Sequence, residues 1–202
     1  MNNHPSKERT LVIIKPDGVQ RSLIGEIIKR YEKMGLKMIA IKMVVPDASF
    51  VRKHYTVDPE WQKKAGEKAI ASYQKKGIEP PLKNPIEAGN RVLETLIKYM
   101  TSGPVVALVW QGAHAVEVVR KVTGGTEPRT SDVGTIRGDF VLDSYIVSDT
   151  DGRAVRNLIH ASGSTEEANK EIKLWFKENE LVNYRLIAEQ ILYDVNLDGI
   201  LE

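Results

Sequence analysis

The chain has 202 residues, no cysteine, 42% hydrophobic and 28% charged residues, and a formal net charge of +2. That length fits one large domain or one domain with insertions; the lack of cysteine excludes a disulfide framework or a thiolate metal site, and so slight a charge does not by itself argue for a nucleic-acid surface. No apolar run nears the roughly 20 residues needed to span a bilayer, and the polar opening, residues 1–7, lacks a signal-peptide core, so a cytoplasmic location is expected.

Leu11, Val12, Ile13 and Ile14 form a short apolar run that predicts a buried strand. Lys15-Pro16-Asp17-Gly18 ends it with turn chemistry, leaving Lys15 at the end of a core strand, where a charge needs a partner or a task. Ile24, Ile27, Ile28 and Tyr31 recur at helical spacing, with Gly35 as the stop. Residues 38–45 predict a second strand closed by Pro46, and Asp47 caps a short helix carrying Phe50, Val51, His54 and Tyr55. From Asp58 to about Asn90 the composition turns to Lys, Ala, Gly and Pro. Asp58-Pro59 opens a helix with a sparse stripe of Trp61, Ala65, Ala69 and Tyr73, stopping at Gly77. A stiff loop over 79–85 leads to a helix with Val92, Leu93, Leu96, Ile97 and Met100 on one face. The lysine pairs at 63–64 and 75–76 read as a solvated face.

Residues 105–110 are the strongest core strand, followed by a helix with Ala115, Val118, Val119 and Val122 inward and a stop at Gly124-Gly125. Residues 124–138 have no hydrophobic periodicity, and so long a connection favours a binding loop. Residues 140–147 predict another strand. Ser164-Thr165-Glu166-Glu167 is a capping box for a helix with Ala168, Ile172, Trp175 and Phe176 inward. A late apolar run covers 187–193, and the acidic end, 194–202, is expected to dock weakly or fray. Strands at 11–14, 38–45, 105–110 and 140–147 alternating with helices suit an α+β sandwich, a four-stranded sheet with helices covering one face.

No Walker-type glycine cradle occurs: Gly25 and Gly124-Gly125 lack the required spacing. Phosphate binding would therefore fall to side chains, the candidates being Lys15, Tyr55, Arg120, Thr126 and Arg137. Each has a plain alternative, Arg120 as a helix C-terminal charge and the others as solvated or snorkelling groups. His160 lies among small residues in the stretch 156–162; an imidazole there can act as nucleophile or base at neutral pH, or serve as an ordinary loop histidine.

Seven blocks carry a family resemblance: residues 15–21 (Lys15-Pro16-Asp17-Gly18 onward), His54-Tyr55, residues 98–106, Arg120 with 124–128, residues 134–140, residues 157–162 and residues 171–176. In this order they resemble the nucleoside diphosphate kinase family. The resemblance implies a ferredoxin-like α/β sandwich with a four-stranded antiparallel sheet. It implies one domain over 1–202 with insertions at about 58–91 and about 142–154. His160 would take the γ-phosphate of a nucleoside triphosphate and pass it to a nucleoside diphosphate. Glu171 would hold the imidazole, supported by Ser162; Glu171 lies seven residues after the cap Ser164, two turns along one helix face. Arg120, Thr126, Arg137 and Tyr55 would hold the phosphates, with Mg²⁺ bound through them. Lys15 and Asn157 would bond the ribose hydroxyls and the phosphate bridge. Nucleoside di- and triphosphates and further copies of the chain are the implied partners, with neither membrane nor nucleic acid among them.

Three departures from the family stand out. The family's base-stacking phenylalanine falls near Val92 in this chain, so either the inserted helices rebuild the base cover with Trp61 or Tyr73, or Val92 packs on the base edge and the insertion serves subunit contacts. The segment from Phe140 to Asn157, about ten residues longer than the family norm, reads as an extended strand pair turned at Asp149-Thr150-Asp151-Gly152. Ala161 and Gly163 replace the usual Gly and Asp beside the histidine and serine, which keeps the loop small. The alternative from another class is a non-catalytic nucleotide-binding or regulatory scaffold.

Overall fold

A computed structural model describes residues 5–75 and 77–193; residues 1–4 of the polar opening, Lys76 and the acidic end at 194–202 lie outside the described residues. In chain order the elements are β1 (Arg9–Ile14), α1 (Pro16–Gln20), α2 (Ile24–Glu32), β2 (Lys37–Val44), α3 (Ala48–Tyr55), α4 (Trp61–Lys75) and α5 (Pro85–Met100). There follow β3 (Val105–Gln111), α6 (Ala115–Thr123), α7 (Ile136–Phe140), α8 (Tyr145–Thr150), β4 (Ile159–Ala161), α9 (Thr165–Trp175) and α10 (Ala188–Tyr193). The strands form one antiparallel sheet in the order β2-β3-β1-β4. No helix of the described residues is long and apolar enough to cross a membrane.

Helices cover both faces of this sheet, which corrects the one-face expectation. Leu11, Ile13, Ala107 and Val109 pack with Val51 and Tyr55 of α3, Leu93 and Ile97 of α5, and Ile172 and Trp175 of α9. Val12, Ile14, Leu108 and Trp110 point the other way, against Ile27 and Tyr31 of α2, Ala115 and Val119 of α6, and Ile136 of α7. The physical reason is legible in the two central strands: β3 is buried along its whole length and β1 at all but its first residue. An unbroken apolar strand, with no polar alternation, needs cover on both sides.

The fourth strand also lies elsewhere. Residues 140–147 do not pair: Phe140 ends α7, and Tyr145–Thr150 is helical, its first turn capped by Ser144 Oγ accepting from Val147 N–H. The hairpin expected at 149–152 is instead the end of α8, where Gly152 takes φ 63° and the Arg153 N–H closes onto Ser148 O at 3.0 Å. The free edge of β1 is taken by β4, with Ile13 opposite His160, so 140–147 finds no partner there. Leu142 stands fully exposed, as no sheet-facing residue could.

Two predicted caps are present: Asp47 accepts from Phe50 N–H and Ser164 from Glu167 N–H. Asn84, expected in a stiff loop, also caps α5 by accepting from Ile86 N–H, whereas the helix expected to open at Asp58-Pro59 begins at Trp61. The 58–91 segment becomes a hairpin of α4 and α5 in very close contact. A Cβ on Gly66 would fall 1.8 Å from Pro85 O, and one on Gly89 1.9 Å from Gln62 O. Only glycine lets the backbones approach so far. The solvated reading of Lys63, Lys64 and Lys75 holds, all three being exposed.

Candidate active site

Directly opposed residues of an antiparallel pair share a face. Pairing Ile13 with His160 therefore sends the imidazole to the side of Leu11 and Ile13, under α3 and α9. On α9 the inward positions Ala168, Ile172 and Trp175 are accompanied by Glu171, a carboxylate on a buried stripe at 2% exposure. Glu171 Oε1 lies 2.8 Å from His160 Nε2, and Oε2 accepts the Ser162 hydroxyl at 2.6 Å. Ser162 Oγ in turn accepts the Leu11 N–H at 3.3 Å, which ties the group to β1.

Burial would push the Glu171 carboxyl up, but the His160 imidazole beside it, by charge and hydrogen bond, and the Ser162 hydroxyl outweigh that and hold it at about 2. The carboxylate is thus ionised at neutral pH and accepts only. The shared proton sits on His160 Nε2, as assigned from this network, and Nδ1 keeps a free lone pair. The ring of Tyr55 stands 6.3 Å from that of His160 and its buried hydroxyl has no hydrogen-bond partner among the described residues.

The chain enters β4 through Leu158, a buried residue at φ 63°, a backbone region that costs a branched side chain roughly 1–2 kcal/mol. Two bonds hold it there: Leu158 N–H donates to Asp17 Oδ2 at 3.2 Å and Leu158 O accepts Lys15 N–H at 2.7 Å. Asp17 Oδ1 also accepts the Tyr99 hydroxyl. Asp17 and Tyr99, which lie in the resembling blocks 15–21 and 98–106, support the histidine loop through contacts that only the fold brings about.

Lys15 is 5% exposed and donates from Nζ to Asn157 Oδ1 at 2.7 Å. Burial, with Arg137 nearby, lowers its ammonium to about 7, against a weaker opposing pull from Asp17. Asn157 Nδ2 donates to Thr126 O at 3.0 Å, which orients the amide. Arg137 donates to four loop carbonyls, through Nε to Asn157 O, Nη1 to Gly124 O and Gly125 O, and Nη2 to Ile159 O. A guanidinium has five N–H donors. One is left over, so Arg137 is chiefly the clamp that binds the 124–125 turn to the catalytic loop.

Arg120 closes α6, exposed, without a hydrogen bond or ion pair among the described residues, and its Nη1 would lie 3.9 Å from a Cβ on Gly163. Lys15, Arg120 and Arg137 thus gather around the histidine loop with no carboxylate salt-bridged to any of them among the described residues. Thr126 is exposed in the loop they border. Val92 is half-buried on α5 and joins none of these contacts. Trp61 does come close, its ring 5.3 Å from that of Tyr55. Tyr73 lies twelve residues further along the same helix, about 18 Å by helical rise.

Among the described residues, one group has the donors of a metal site: His54, His160 and Glu171. Two imidazoles and a carboxylate suit a softer ion than Mg²⁺, which prefers oxygen ligands. Magnesium would therefore be held through a bound nucleotide's phosphates.

A family model described as nucleoside diphosphate kinase matches residues 8–74 and 86–181. The chain is similar to the nucleoside diphosphate kinase of Pyrobaculum aerophilum, 47% identical over 179 residues that span 87% of this chain and 98% of that protein. It is similar to that of Borreliella burgdorferi at 39% identity, covering 88% and 92% of the two chains. Among solved structures, the Pyrobaculum aerophilum NDP kinase aligns with a TM-score of 0.84 at 45% identity over 88% of this chain and all of that one. A Borrelia burgdorferi structure, a transition-state mimic with bound vanadate and ADP, aligns at 0.76 with 37% identity over 93% and 98%. The Halobacterium salinarum enzyme in complex with CDP aligns at 0.67 with 34% identity over 93% and 99%.

Proposed function

This chain belongs to the nucleoside diphosphate kinase family, and we propose that it moves the γ-phosphate of a nucleoside triphosphate to a nucleoside diphosphate by way of a phosphohistidine at His160. The observation that carries this reading is the pairing of His160 Nε2 with an ionised Glu171, which leaves Nδ1 as a free nucleophile beside three cations lacking carboxylate partners. As Nδ1 bonds to the γ-phosphorus, the bond from that phosphorus to the bridging oxygen breaks, and its electron pair leaves on the nucleoside diphosphate. Positive charge on the imidazole is then stabilised by Glu171, which Ser162 holds in place. A second diphosphate attacks the same phosphorus and releases Nδ1. Splitting the transfer lets one site serve donor and acceptor in turn.

Arg120, exposed and unpaired, takes the more distal phosphates; the Lys15 ammonium, already aimed at Asn157, bridges phosphate and ribose hydroxyls. The Tyr55 hydroxyl, buried without a partner, supplies a further donor, and the spare N–H of Arg137 and the Thr126 hydroxyl complete the set. Magnesium carried on the phosphates neutralises charge that these side chains leave uncompensated. Trp61, its ring tilted at 43° against that of Tyr55, is the aromatic of the α4–α5 hairpin best placed to cover a base.

Self-association is a second part of this reading. β2 is an edge strand and carries Ile41 and Met43 at 50% and 56% exposure, with Val45 just past its end at 69%, an apolar surface suited to another copy of the chain.

The test of the activity is direct. Incubation with γ-labelled ATP and Mg²⁺ should place one acid-labile phosphate on the protein, lost in His160→Ala. A scaffold without catalysis would take up none.

A further inference from the structure

The phosphoryl relay gives His54 no task, yet its ring stands 4.5 Å from that of His160, at 84° to it. His54 is 2% exposed, and its Nδ1 accepts the indole N–H of Trp175 at 3.2 Å. Indole can only donate, so His54 carries its proton on Nε2 and is neutral. The same Nδ1 lies 3.5 Å from Glu171 Oε1. Two facing acceptors form no bond, so Oε1 draws its hydrogen from His160. His54 Nε2 is buried with no hydrogen-bond partner among the described residues. That is a cost the fold carries for keeping an acceptor under the Trp175 indole.

We propose that His54 is a positioning residue: its Trp175-locked ring and Glu171 confine the His160 imidazole to one orientation, so that phosphate is accepted on Nδ1 alone. The inference rests on the phosphoryl-transfer reading above. In the step, the Nδ1–phosphorus bond forms, the bond to the bridging oxygen breaks, the electron pair leaves on the diphosphate, and the Nε2 proton stays shared with Glu171. A His160 ring free to tilt would break that shared bond and expose Nε2 as a competing nucleophile.

The test uses the full chain, His54→Ala and His54→Gln. Alanine opens the space beside His160; the glutamine carbonyl fills most of it and can still accept the indole N–H. Imidazole ¹⁵N spectra of the unphosphorylated proteins report the His160 tautomer, and ³¹P spectra after ATP loading separate the two phosphohistidine isomers. Wild type should show one tautomer and the Nδ1 isomer alone. His54→Ala should show mixed tautomers, a measurable share of the Nε2 isomer and transfer slowed tenfold or more, with His54→Gln recovering the single isomer. His54→Ala with one tautomer, one isomer and wild-type rate overturns the proposal. If the alanine variant does not fold, mixed isomers or tautomers in His54→Gln overturn it and a single species supports it. Should wild type take no phosphate, the proposed activity fails, while the tautomer spectra still decide the role of His54.

Discussion

At the scale of single residues, the site depends on two groups whose pKa values are both lowered by their surroundings, Lys15 toward its neutral form and Glu171 toward its charged form. Lys15 is lowered to about 7, mainly by burial. Around neutral pH it is half-protonated in the free protein, whereas a bound phosphate would require the ammonium. Nucleotide binding at pH 8–9 should therefore take up close to one proton, measurable calorimetrically in buffers of different ionisation enthalpy; Lys15→Met should abolish the uptake. For stability the sign is also defined. Between pH 7 and 10.5 the unfolded chain holds a proton on this lysine that the fold has released, so stability rises with pH across that window, and Lys15→Met should flatten the rise. Glu171, held at about 2, gives a rise of the same sign in a more acid window. Its contribution is complete above the ordinary carboxyl pKa of 4.5 and is lost as pH falls through about 2. Glu171→Gln leaves His160 without its anion, and phosphoryl transfer should drop by roughly 10²–10³-fold, the scale of losing one well-placed electrostatic partner. A wild-type transfer rate in that variant would contradict the relay.

At the scale of elements, the α4–α5 hairpin is held by backbone contact at Gly66 and Gly89, where a methyl group has no space. Either glycine changed to alanine must push the helices apart, with a stability loss of about 1–3 kcal/mol, as for other overpacked contacts. Thermal unfolding measures it. Because α4 begins at Trp61, the same displacement would draw that ring from Tyr55. Trp61→Ala alone should raise nucleotide KM several-fold with little change in kcat, and Tyr73→Ala should not. An unchanged KM in the Trp61 variant would leave the base cover to another residue. The hairpin was legible in part: Asn84 and Pro85 announce the start of α5, and the polar stripe of α4 marks a helix that buries little. The glycine crossing was not, since Gly66 and Gly89 acquire their role only when the two helices meet.

At the scale of the molecule, the open edge of β2 decides how copies could meet. Replacing Ile41 and Met43 with glutamate should shift sedimentation of the protein toward a smaller species while leaving monomer far-UV dichroism unchanged; sedimentation identical to wild type would move the contact off this edge. The chain's own periodicity sufficed for β1, β2, β3, α2, α3, α5, α6 and α9, because each buries an apolar run or stripe that local spacing reveals. Periodicity alone left His160 open as a loop histidine; the ordered motifs of the family resemblance are what pointed to it together with Glu171, Ser162, Lys15, Asn157, Arg120 and Arg137. Periodicity also misplaced the last strand. Residues 140–147 are more apolar than the three-residue β4, and only competition for the free edge of β1 chose between them. Tertiary structure alone brought Asp17 to Leu158, turned most of the Arg137 guanidinium to backbone carbonyls and set His54 beside His160. Those contacts join residues from 12 to more than 100 positions apart. They follow from which faces pack together, a quantity that no local pattern of hydrophobicity contains.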